Sequence, residues 1–412
     1  MMRKLPIFCA LLCAGVFVSC STEMDDLQLS APTEKVESGN SDAGQFFPVE
    51  DGAVALEGTY HEKAMKLLKA GNPEQGLSLY DTQITTEQYQ EIKEYVDKIV
   101  AGMTSQKAIH DCLLTWVFNS IEYTESDNDP YPVFKNRKGI CQGKANLLKV
   151  MLLSQNIPAV SANGFTWGQG HAWLYVCLDG KWYLSDPTNN FMLDADDANA
   201  CKDFNPYFLE WTVFEDDKSL VEYSGGELTL VKIKSGDTKY TVPYSAKGFI
   251  LTAFNPESAF PEEIKEVYIG KNIASIGYQG VIGLKVHGKS VEQVHVDPAN
   301  PYLEEYEDVI YLREGDTTTP YFIPNMLKRI VLKPNKVYGK EVVSGHDYVE
   351  EIVFPEGVEV ISDYAVESCP RLKRIYIPEN VVLGKRAFYN VPQDCEVIRE
   401  KTETGIPTIT VD

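Results

Sequence analysis

A repeated strand pattern in the C-terminal third constrains the fold of this 412-residue chain more than any other feature. The pattern at residues 349–355 recurs at 372–378, an offset of 23, and residues 327–332 precede the first copy by 22. Residues 264–269 and 291–296 have the same sequence pattern. A single short strand cannot bury its apolar face, whereas stacked copies share one continuous core. The repeat therefore predicts a parallel β-solenoid of about five repeats.

The repeat resembles the BspA-type leucine-rich repeat, and we assign residues 262–400 to it by that resemblance. Spacings of 27 and 36 residues between the earlier strands make the array irregular. Residues 297–302 resemble the start of a longer repeat variant. Such surfaces usually bind a protein or a glycan. A rigid spacer or a structural cover on another domain is the alternative, and the sequence leaves both open.

The N-terminus has the features of a secretion signal. Two basic residues precede an apolar run over residues 5–18, which is too short to cross a bilayer comfortably. The run leads to Cys20, and this junction resembles the lipobox of bacterial lipoproteins, in which the cysteine is acylated after cleavage. Ordinary secretion, with Cys20 merely nearby, is the alternative. We assign residues 1–19 to a lipoprotein signal peptide and expect lipidation of Cys20.

The segment that follows Cys20 is predicted to be a flexible tether over residues 20–55. Residues 21–52 carry eight acidic side chains and one base, Lys35, so they bury little and repel one another. The acidic run also resembles the surface-export signal of Bacteroidota lipoproteins, and a plain solvated linker is the alternative. A lipid anchor would hold the protein in the cell envelope, at the outer membrane, on the surface or the periplasmic face.

The charge balance argues against one class of partner. The chain has 60 acidic and 38 basic residues, which give a net charge of −22. Nucleic-acid binding needs a basic footprint for the phosphate backbone, and none stands out in the sequence. We therefore expect no nucleic-acid partner, and we expect contact with a membrane only through the lipid anchor.

Residues 56–225 are predicted to form the first folded domain, which begins with helices. Thr85 and Gln88 make a capping box ahead of an apolar stripe at helical spacing. Residues 61–70 and 105–121 are also predicted to be helical, whereas the polar, proline-rich stretch 127–132 is predicted to be a loop.

Cys141 is predicted to lie at or just before the start of a further helix. Gly139 supplies a turn, and apolar residues at helical spacing follow from Leu147. The free N–H groups and dipole of a helix N-terminus favour a thiolate and lower the pKa of a thiol there. The same N–H groups can receive a developing oxyanion. To be an efficient nucleophile, such a cysteine needs a histidine, which in turn needs an orienting partner.

A predicted hairpin brings a histidine and a carboxylate together across 15 positions of sequence. The Asp-Gly dipeptide at 179–180 is the strongest short hairpin signal and, as a two-residue loop, pairs Leu178 with Lys181. Paired residue numbers then sum to 359, which places His171 and Asp186 on one face as diagonal neighbours. The hairpin therefore predicts an imidazole within reach of a carboxylate.

Three motifs together resemble the transglutaminase-like superfamily over about residues 85–200. They are Gly-Ile-Cys-Gln-Gly-Lys-Ala at 139–145, His-Ala-Trp at 171–173 and Trp-Tyr-Leu-Ser-Asp-Pro-Thr at 182–188. Taken singly, each residue has an ordinary structural explanation, as a buried thiol, a strand histidine or a turn former. Together, in the order Cys, His, Asp, they imply an α+β papain-like core.

The resemblance also implies a role for each residue of the motifs. Cys141 would be the nucleophile, His171 the general base and acid, and Asp186 the group that orients the imidazole. Gln142 and Trp116 are candidates for an extra oxyanion donor, although Trp116 lies on the apolar stripe of its helix, where packing in the core explains it better.

No metal and no cofactor are expected. The six histidines are scattered, and none pairs with another at ligand spacing on one element. The acidic stretch 194–197 lacks the spacing of a known calcium loop, so a solvated turn is the preferred interpretation.

The expected architecture is an α+β papain-like or transglutaminase-like core over 56–225, a β-rich connector over 226–261, the leucine-rich-repeat solenoid over 262–400 and a C-terminal tail over 401–412. The favoured function is a membrane-anchored cysteine-dependent acyl-transfer enzyme. It would be a peptidase or amidase that forms a thioacyl intermediate on a protein or peptide substrate. The alternatives are a transglutaminase, which transfers the acyl group to an amine, and a non-catalytic surface binding or adhesion lipoprotein.

The lipid anchor can be tested directly. We expect the mature protein to begin at Cys20 and to carry acyl chains on that residue, measured by mass spectrometry of the N-terminal peptide. Cys20→Ala should release the protein from membranes or block its processing, because the thiol that carries the lipid is lost. An unmodified mature N-terminus at another position would contradict the assignment.

Overall fold

The structure, a computed structural model, describes residues 47, 49–79, 83–125, 128–215, 219–234, 237–254, 261–276, 290–313 and 319–400. Cys20, the predicted signal peptide, most of the predicted tether and the C-terminal tail lie outside these residues. Over the described residues, the chain divides into two compact units. The first contains residues 58–68 and 72–210, and the second contains the remainder.

Helices come first in the chain, as the apolar periodicity predicts. The described α-helices are α1 Tyr60–Ala70, α2 Thr86–Ile99, α3 Gln106–Ser120, α4 Pro130–Asn136 and α5 Cys141–Leu153. Both capping-box bonds form ahead of α2: the Thr85 hydroxyl accepts from the Gln88 backbone N–H, and the Gln88 side chain accepts from the Thr85 backbone N–H. The loop predicted at 127–132 is wrong in part, because α4 begins at Pro130. Proline is tolerated in a first turn, where its missing N–H would have no intrahelical partner.

The helix α5 forms the centre of the first unit. Eleven of its residues are buried, and they pack with side chains of α2, α3, α4 and the strands that follow. A helix that is buried on nearly every side lies inside the fold, and Lys144 and Lys149 are its buried charged residues. Because Cys141 is the first residue of α5, the packing of this helix also fixes the position of the thiol.

An antiparallel sheet lies against α5 with its strands in the order β5-β1-β2-β3-β4. These strands are β1 Ala159–Thr166, β2 Gln169–Leu178, β3 Lys181–Asp186, β4 Phe191–Asp194 and β5 Phe204–Glu215. The predicted β2–β3 hairpin is confirmed in type and register. Leu178 pairs with Lys181, and the ladder extends to Leu174 and Ser185, so paired numbers sum to 359. Asp179 and Gly180 have φ of 49° and 82°, as a type I′ turn requires.

The second unit consists of strands. Its described strands before the repeats are β6 Ser219–Ser224, β7 Glu227–Ile233, β8 Lys239–Thr241, β9 Ser245–Ala246, β10 Phe249–Ile250 and β11 Ala253–Phe254. The irregular part of the array adds β12 Glu266–Ile269, β13 Ser275–Ile276, β14 Gln293–Val296 and the hairpin β15 Leu303–Tyr306 with β16 Val309–Leu312. Parallel pairing of β8, β12 and β14 starts the stack that the repeat predicts.

The irregular and regular repeats together form a β-solenoid of about six turns over the described residues, which confirms the predicted architecture. One ladder contains β17 Arg329–Val331, β20 Glu351–Val353, β23 Arg374–Pro378 and β26 Glu396–Glu400. Two shorter ladders contain β18 Val337–Tyr338, β21 Val360–Ile361 and β24 Val382–Leu383, and β19 Val343–Ser344, β22 Val366–Glu367 and β25 Phe388–Tyr389. Segments that the repeat pattern placed between strands therefore pair as well, so the turns that begin at β17, β20 and β23 each contribute three strands.

Identical side chains stack from turn to turn of the solenoid. Ile330, Ile352 and Ile375 occupy equivalent positions of the first ladder and are fully buried. On the outward side of the same strands, Glu351 forms ion pairs with Arg329 on one neighbour and Arg374 on the other. Each repeat buries its apolar residues only against adjacent repeats, which explains why the period is visible in sequence.

Across the described residues, no helix combines the length and the apolar character that crossing a membrane would need.

Gly164 of β1 permits a test of the sheet packing. A Cβ there would overlap the Asn205 carbonyl oxygen and lie 2.8 Å from the Tyr207 backbone nitrogen of β5. We therefore expect Gly164→Ala to lower the free energy of unfolding of the first unit by about 3 kcal/mol, because backbone atoms cannot yield cheaply. Urea unfolding followed by tryptophan fluorescence measures this change.

The matched control is Gly170→Ala on the neighbouring strand. Apart from atoms of residue 170 and its two chain neighbours, no heavy atom of the described residues would lie within 4 Å of the new Cβ. Equal destabilisation by the two substitutions would contradict the close approach of β1 and β5.

Candidate functional site

Cys141 lies at the N-terminus of α5 and is only 4% exposed. Burial alone would raise the pKa of its thiol. A hydrogen bond with the His171 side chain, the charge of that imidazole, and the backbone N–H groups of Ala172 and Gln142 outweigh burial and leave the pKa of Cys141 below its usual value. The thiol is therefore held in surroundings that favour the thiolate, as its place at a helix N-terminus predicts.

His171 is joined to Asp186 by a hydrogen bond of 2.9 Å from its Nε2 to the carboxylate Oδ2. This bond leaves Nδ1 as the ring nitrogen for the interaction with Cys141. Burial would lower the pKa of His171, but the hydrogen bonds and negative charges of Asp186 and Cys141 raise it to about 9. The imidazole ring also stacks on Trp173, with ring centroids 6.1 Å apart, which restricts its tilt.

Asp186 is fully buried, and its carboxylate accepts several hydrogen bonds besides that from His171. The backbone N–H groups of Thr188 and Asn189 donate to Oδ1 at 2.8 and 3.1 Å, and the Asn189 side chain donates to Oδ2 at 2.8 Å. Burial raises the pKa of Asp186, but the bond and charge of His171, with the donors of Asn189 and Thr188, leave it lowered. The carboxylate therefore stays ionised and fixed in orientation.

A second buried histidine supports the strand that carries Asp186. His110 of α3 contacts the Ser185 hydroxyl through Nε2 at 2.9 Å and the Asp111 carboxylate through Nδ1 at 3.1 Å. Burial lowers the pKa of His110, so the ring is neutral near pH 7. Its Nδ1–H then donates to Asp111, and its Nε2 accepts from Ser185. This contact ties β3 to the helical layer one residue before Asp186.

The side chain of Gln142, one of the two candidate oxyanion donors, points into a polar network. Its amide nitrogen donates to Asn146 at 2.9 Å and to Glu210 of β5 at 3.4 Å. Asn163 donates to the same Glu210 oxygen at 3.2 Å, and buried Lys149 lies 3.7 Å from the other. The Gln142 side chain thus ties the first turn of α5 to the sheet, whereas its backbone N–H faces the thiol.

The indole of Trp116, the other candidate oxyanion donor, lies in an aromatic cluster. Its Nε1–H donates to the Tyr95 hydroxyl at 3.2 Å, and Phe134 packs near both rings. The Arg137 guanidinium lies 4.6 Å from the centroid of the Trp116 ring. The indole N–H is therefore engaged by Tyr95, as expected for a side chain that packs in the core.

The structure brings Cys141, His171 and Asp186 into one hydrogen-bonded chain, the juxtaposition that the motif spacing predicts. Three supporting residues were missed by the sequence analysis. Asn189 carries a signal, because an Asp-Pro-Thr-Asn turn favours local bonds to the aspartate. Glu210 and His110 carry none, because their partners lie 68 and 75 positions away in sequence.

The acidic stretch at 194–197 uses its carboxylates in local contacts. Asp194 pairs with Lys181 at 2.6 Å and accepts from the Asp196 backbone N–H at 3.1 Å. Asp197 accepts from the backbone N–H groups of Asn199 and Ala200. Among the residues that the structure describes, no group of three or more His, Cys, Asp or Glu side chains could hold a metal ion.

Residues 93–187 match the family model described as the Transglutaminase-like superfamily, and this range includes Cys141, His171 and Asp186. The first unit thus contains a transglutaminase-like domain, as the motifs indicate. No curated protein sequence matches the chain significantly.

Several solved structures are similar to parts of this chain. A protein from Cytophaga hutchinsonii provisionally described as a cysteine protease is 21% identical over 27% of this chain and 44% of its own, with a TM-score of 0.23. A leucine-rich repeat protein from Eubacterium ventriosum is 20% identical over 40% and 44%, with a TM-score of 0.26. The periplasmic domain of TgpA from Pseudomonas aeruginosa is 18% identical over 30% and 49%, with a TM-score of 0.25.

The chain thus spans less than half the length of each of these three structures.

The pKa shifts predict how the reactivity of Cys141 depends on pH. The thiolate exists above the lowered pKa of Cys141 and the imidazolium exists below about 9, so both charges coexist in the pH range between these two pKa values. In His171→Ala only burial and the backbone donors remain, so the pKa of Cys141 should rise above that in the unsubstituted protein. The rate of iodoacetamide modification at Cys141 against pH, followed by peptide mass spectrometry, measures this rise.

Two internal comparisons accompany the experiment. Cys177 of β2 has a pKa raised by burial and should react slowly in both proteins. His295→Ala removes an imidazole paired with Glu266 in the second unit and should leave the profile of Cys141 unchanged. An unchanged profile in His171→Ala would show that the imidazole does not act on the thiol.

Proposed function

We propose that this protein is a cysteine-dependent acyl-transfer enzyme that hydrolyses peptide or amide bonds. The observation that carries the proposal is the buried hydrogen-bonded chain from Cys141 through His171 to Asp186, with pKa shifts that favour a thiolate and an imidazolium together. Burying an ion pair costs desolvation free energy that a well-packed apolar pair would not, so stability alone does not explain this arrangement. The arrangement favours a chemical role.

The first step is attack on a carbonyl carbon by the Cys141 thiolate. A new C–S bond forms, and the carbonyl electron pair moves to oxygen. Backbone N–H groups at the start of α5, including that of Gln142, are suitable donors to this developing oxyanion. Because these donors belong to a rigid, buried helix, they need no reorganisation when the charge appears.

Collapse of the tetrahedral intermediate needs an acid for the leaving amine. The His171 imidazolium donates the Nδ1 proton to that nitrogen, the C–N bond breaks, and a thioester on Cys141 remains. Asp186 stabilises the imidazolium and holds its ring through Nε2. The donors on Thr188 and Asn189 keep the carboxylate ionised throughout.

Resolution of the thioester requires a second nucleophile. The neutral His171 takes a proton from water as the water attacks the thioester carbonyl, and the C–S bond then breaks to regenerate the thiolate and the imidazolium. An amine in place of water would give transamidation. We favour water because nothing in the motifs marks a specialist in cross-linking.

The proposal extends to the rest of the chain. Acylation of Cys20 would place the enzyme in the cell envelope, and the solenoid would bind a protein or glycan that holds the substrate nearby. The stacked repeats of the second unit support this division of labour, because such elongated surfaces serve as binding faces.

Hydrolysis of peptide amides by the purified full-length chain tests the proposal. A library of short peptides with a fluorogenic amine leaving group should yield product, with kcat/KM reduced about 100-fold or more in Asp186→Asn, because the imidazole loses its orienting charge. Cys141→Ala should abolish turnover. Cys177→Ala, which removes a buried thiol from β2, is the matched control and should retain activity.

Added methylamine separates the outcomes. An acid product in excess over the methylamide supports a hydrolase, and a methylamide in excess shows a transamidase instead. A correctly folded protein that releases no amine and forms no thioester on Cys141 would contradict both and favour the binding lipoprotein.

A further inference from the structure

We propose that Gly170 and Phe165 form a subsite that selects an apolar side chain of an extended peptide substrate next to the carbonyl that Cys141 attacks. This inference rests on the proposed function, because it places the subsite beside the proposed nucleophile. It is carried by the register of β1 and β2, the open space at Gly170 and the exposed ring of Phe165.

The register places the two residues side by side near the thiol. Phe165 pairs with Gly170, two positions along the ladder from the pair formed by Asn163 and Ala172. The Ala172 backbone N–H contacts the Cys141 thiol. Residues two apart on a strand share a face and lie about 7 Å from one another, so Gly170 is the next position beyond that contact on the same face.

The backbone of Gly170 is oriented to meet a substrate strand. In the β2–β3 hairpin, Leu178 and Lys181 flank the two-residue loop and form a hydrogen-bonded pair, so even-numbered residues of β2 direct N–H and C=O toward β3. The β2–β3 ladder ends at Leu174 and Ser185. Gly170 lies beyond that end, where an extended peptide can take the place that β3 leaves.

The missing side chain of Gly170 opens a slot across the strand. Apart from atoms of Gly170 and its two chain neighbours, no heavy atom of the described residues would lie within 4 Å of a Cβ at this position. Adjacent strands are about 4.8 Å apart. A substrate strand beside β2 would therefore have only Gly170, which has no side chain, between it and Phe165 of β1. A substrate side chain that lies over Gly170 would therefore reach the Phe165 ring.

The walls of the slot indicate the chemistry of the side chain that fills it. Phe165 is 46% exposed, and its ring packs edge-on against Tyr207 of β5, with centroids 6.4 Å apart. Tyr207 in turn contacts the rings of Tyr60 and Phe208. An exposed aromatic surface beside a reactive group favours an aliphatic or aromatic partner over a charged one.

Three alkylating probes test the subsite on the full-length chain. They are iodoacetamide, which has no side chain, and N-acylated chloromethyl ketones of phenylalanine and of glycine. Rates of modification at Cys141 are measured by peptide mass spectrometry. We expect the phenylalanine probe to react about tenfold or more faster than the glycine probe, the discrimination that an apolar pocket provides.

Substitutions on the hairpin locate the preference. Gly170→Leu should fill the slot and remove the preference for phenylalanine, and Phe165→Ala should weaken that preference, with each ketone rate divided by the iodoacetamide rate of the same variant. Gln169→Leu, at the adjacent exposed position on the opposite face of β2, is the matched control and should keep the preference.

The outcomes separate the two proposals. Rapid iodoacetamide modification with equal rates for both ketones, or with a preference that survives Gly170→Leu, overturns the subsite and leaves the proposed nucleophile standing. A Cys141 that reacts with iodoacetamide no faster than an ordinary thiol contradicts the proposed function and the subsite together.

Discussion

Burial of α5 on nearly every side is the constraint on which the site depends. Because the helix packs against both the sheet and the other helices, its first residue, Cys141, cannot move independently of β2. The same packing presents the N–H groups of the first turn to the thiol. The network of Gln142 and Glu210 then ties that first turn to β5, so the Cys141 thiol is held from the helix and from the sheet. A rigid support of this kind is what a reactive group needs, since small displacements are costly in rate.

Charge compensation is the second requirement, because the three groups are buried. An isolated thiolate or carboxylate inside a protein would simply take up a proton. Here each charge has a partner: the thiolate has the imidazolium and two backbone donors, and Asp186 has His171, Thr188 and Asn189. The pKa shifts of Cys141 and His171 run in opposite directions for that reason. The electrostatic state of each group therefore depends on the presence of the other two.

The two units obtain their cores in different ways. The first folds around contacts between residues far apart in sequence, such as His110 with Ser185 and His61 with Tyr175. The second repeats one short unit, so each turn of the solenoid is completed by its neighbours. Contacts between distant residues, as in the first unit, can bring several side chains together at one point, which a site for chemistry requires. The second extends a surface along one direction, which suits recognition of a large ligand.

The sequence alone determined the features that depend on local or periodic patterns. Apolar periodicity located α2, α3 and α5, the Asp-Gly turn fixed the register that brings His171 toward Asp186, and the repeat fixed the solenoid. It could not show that segments between the repeated strands form two further ladders, because two-residue strands carry too little pattern. Nor could it show Glu210 behind Gln142, or the open space over Gly170 beside Phe165. Those depend on which distant strands become neighbours, and only burial of the whole core in three dimensions decides that.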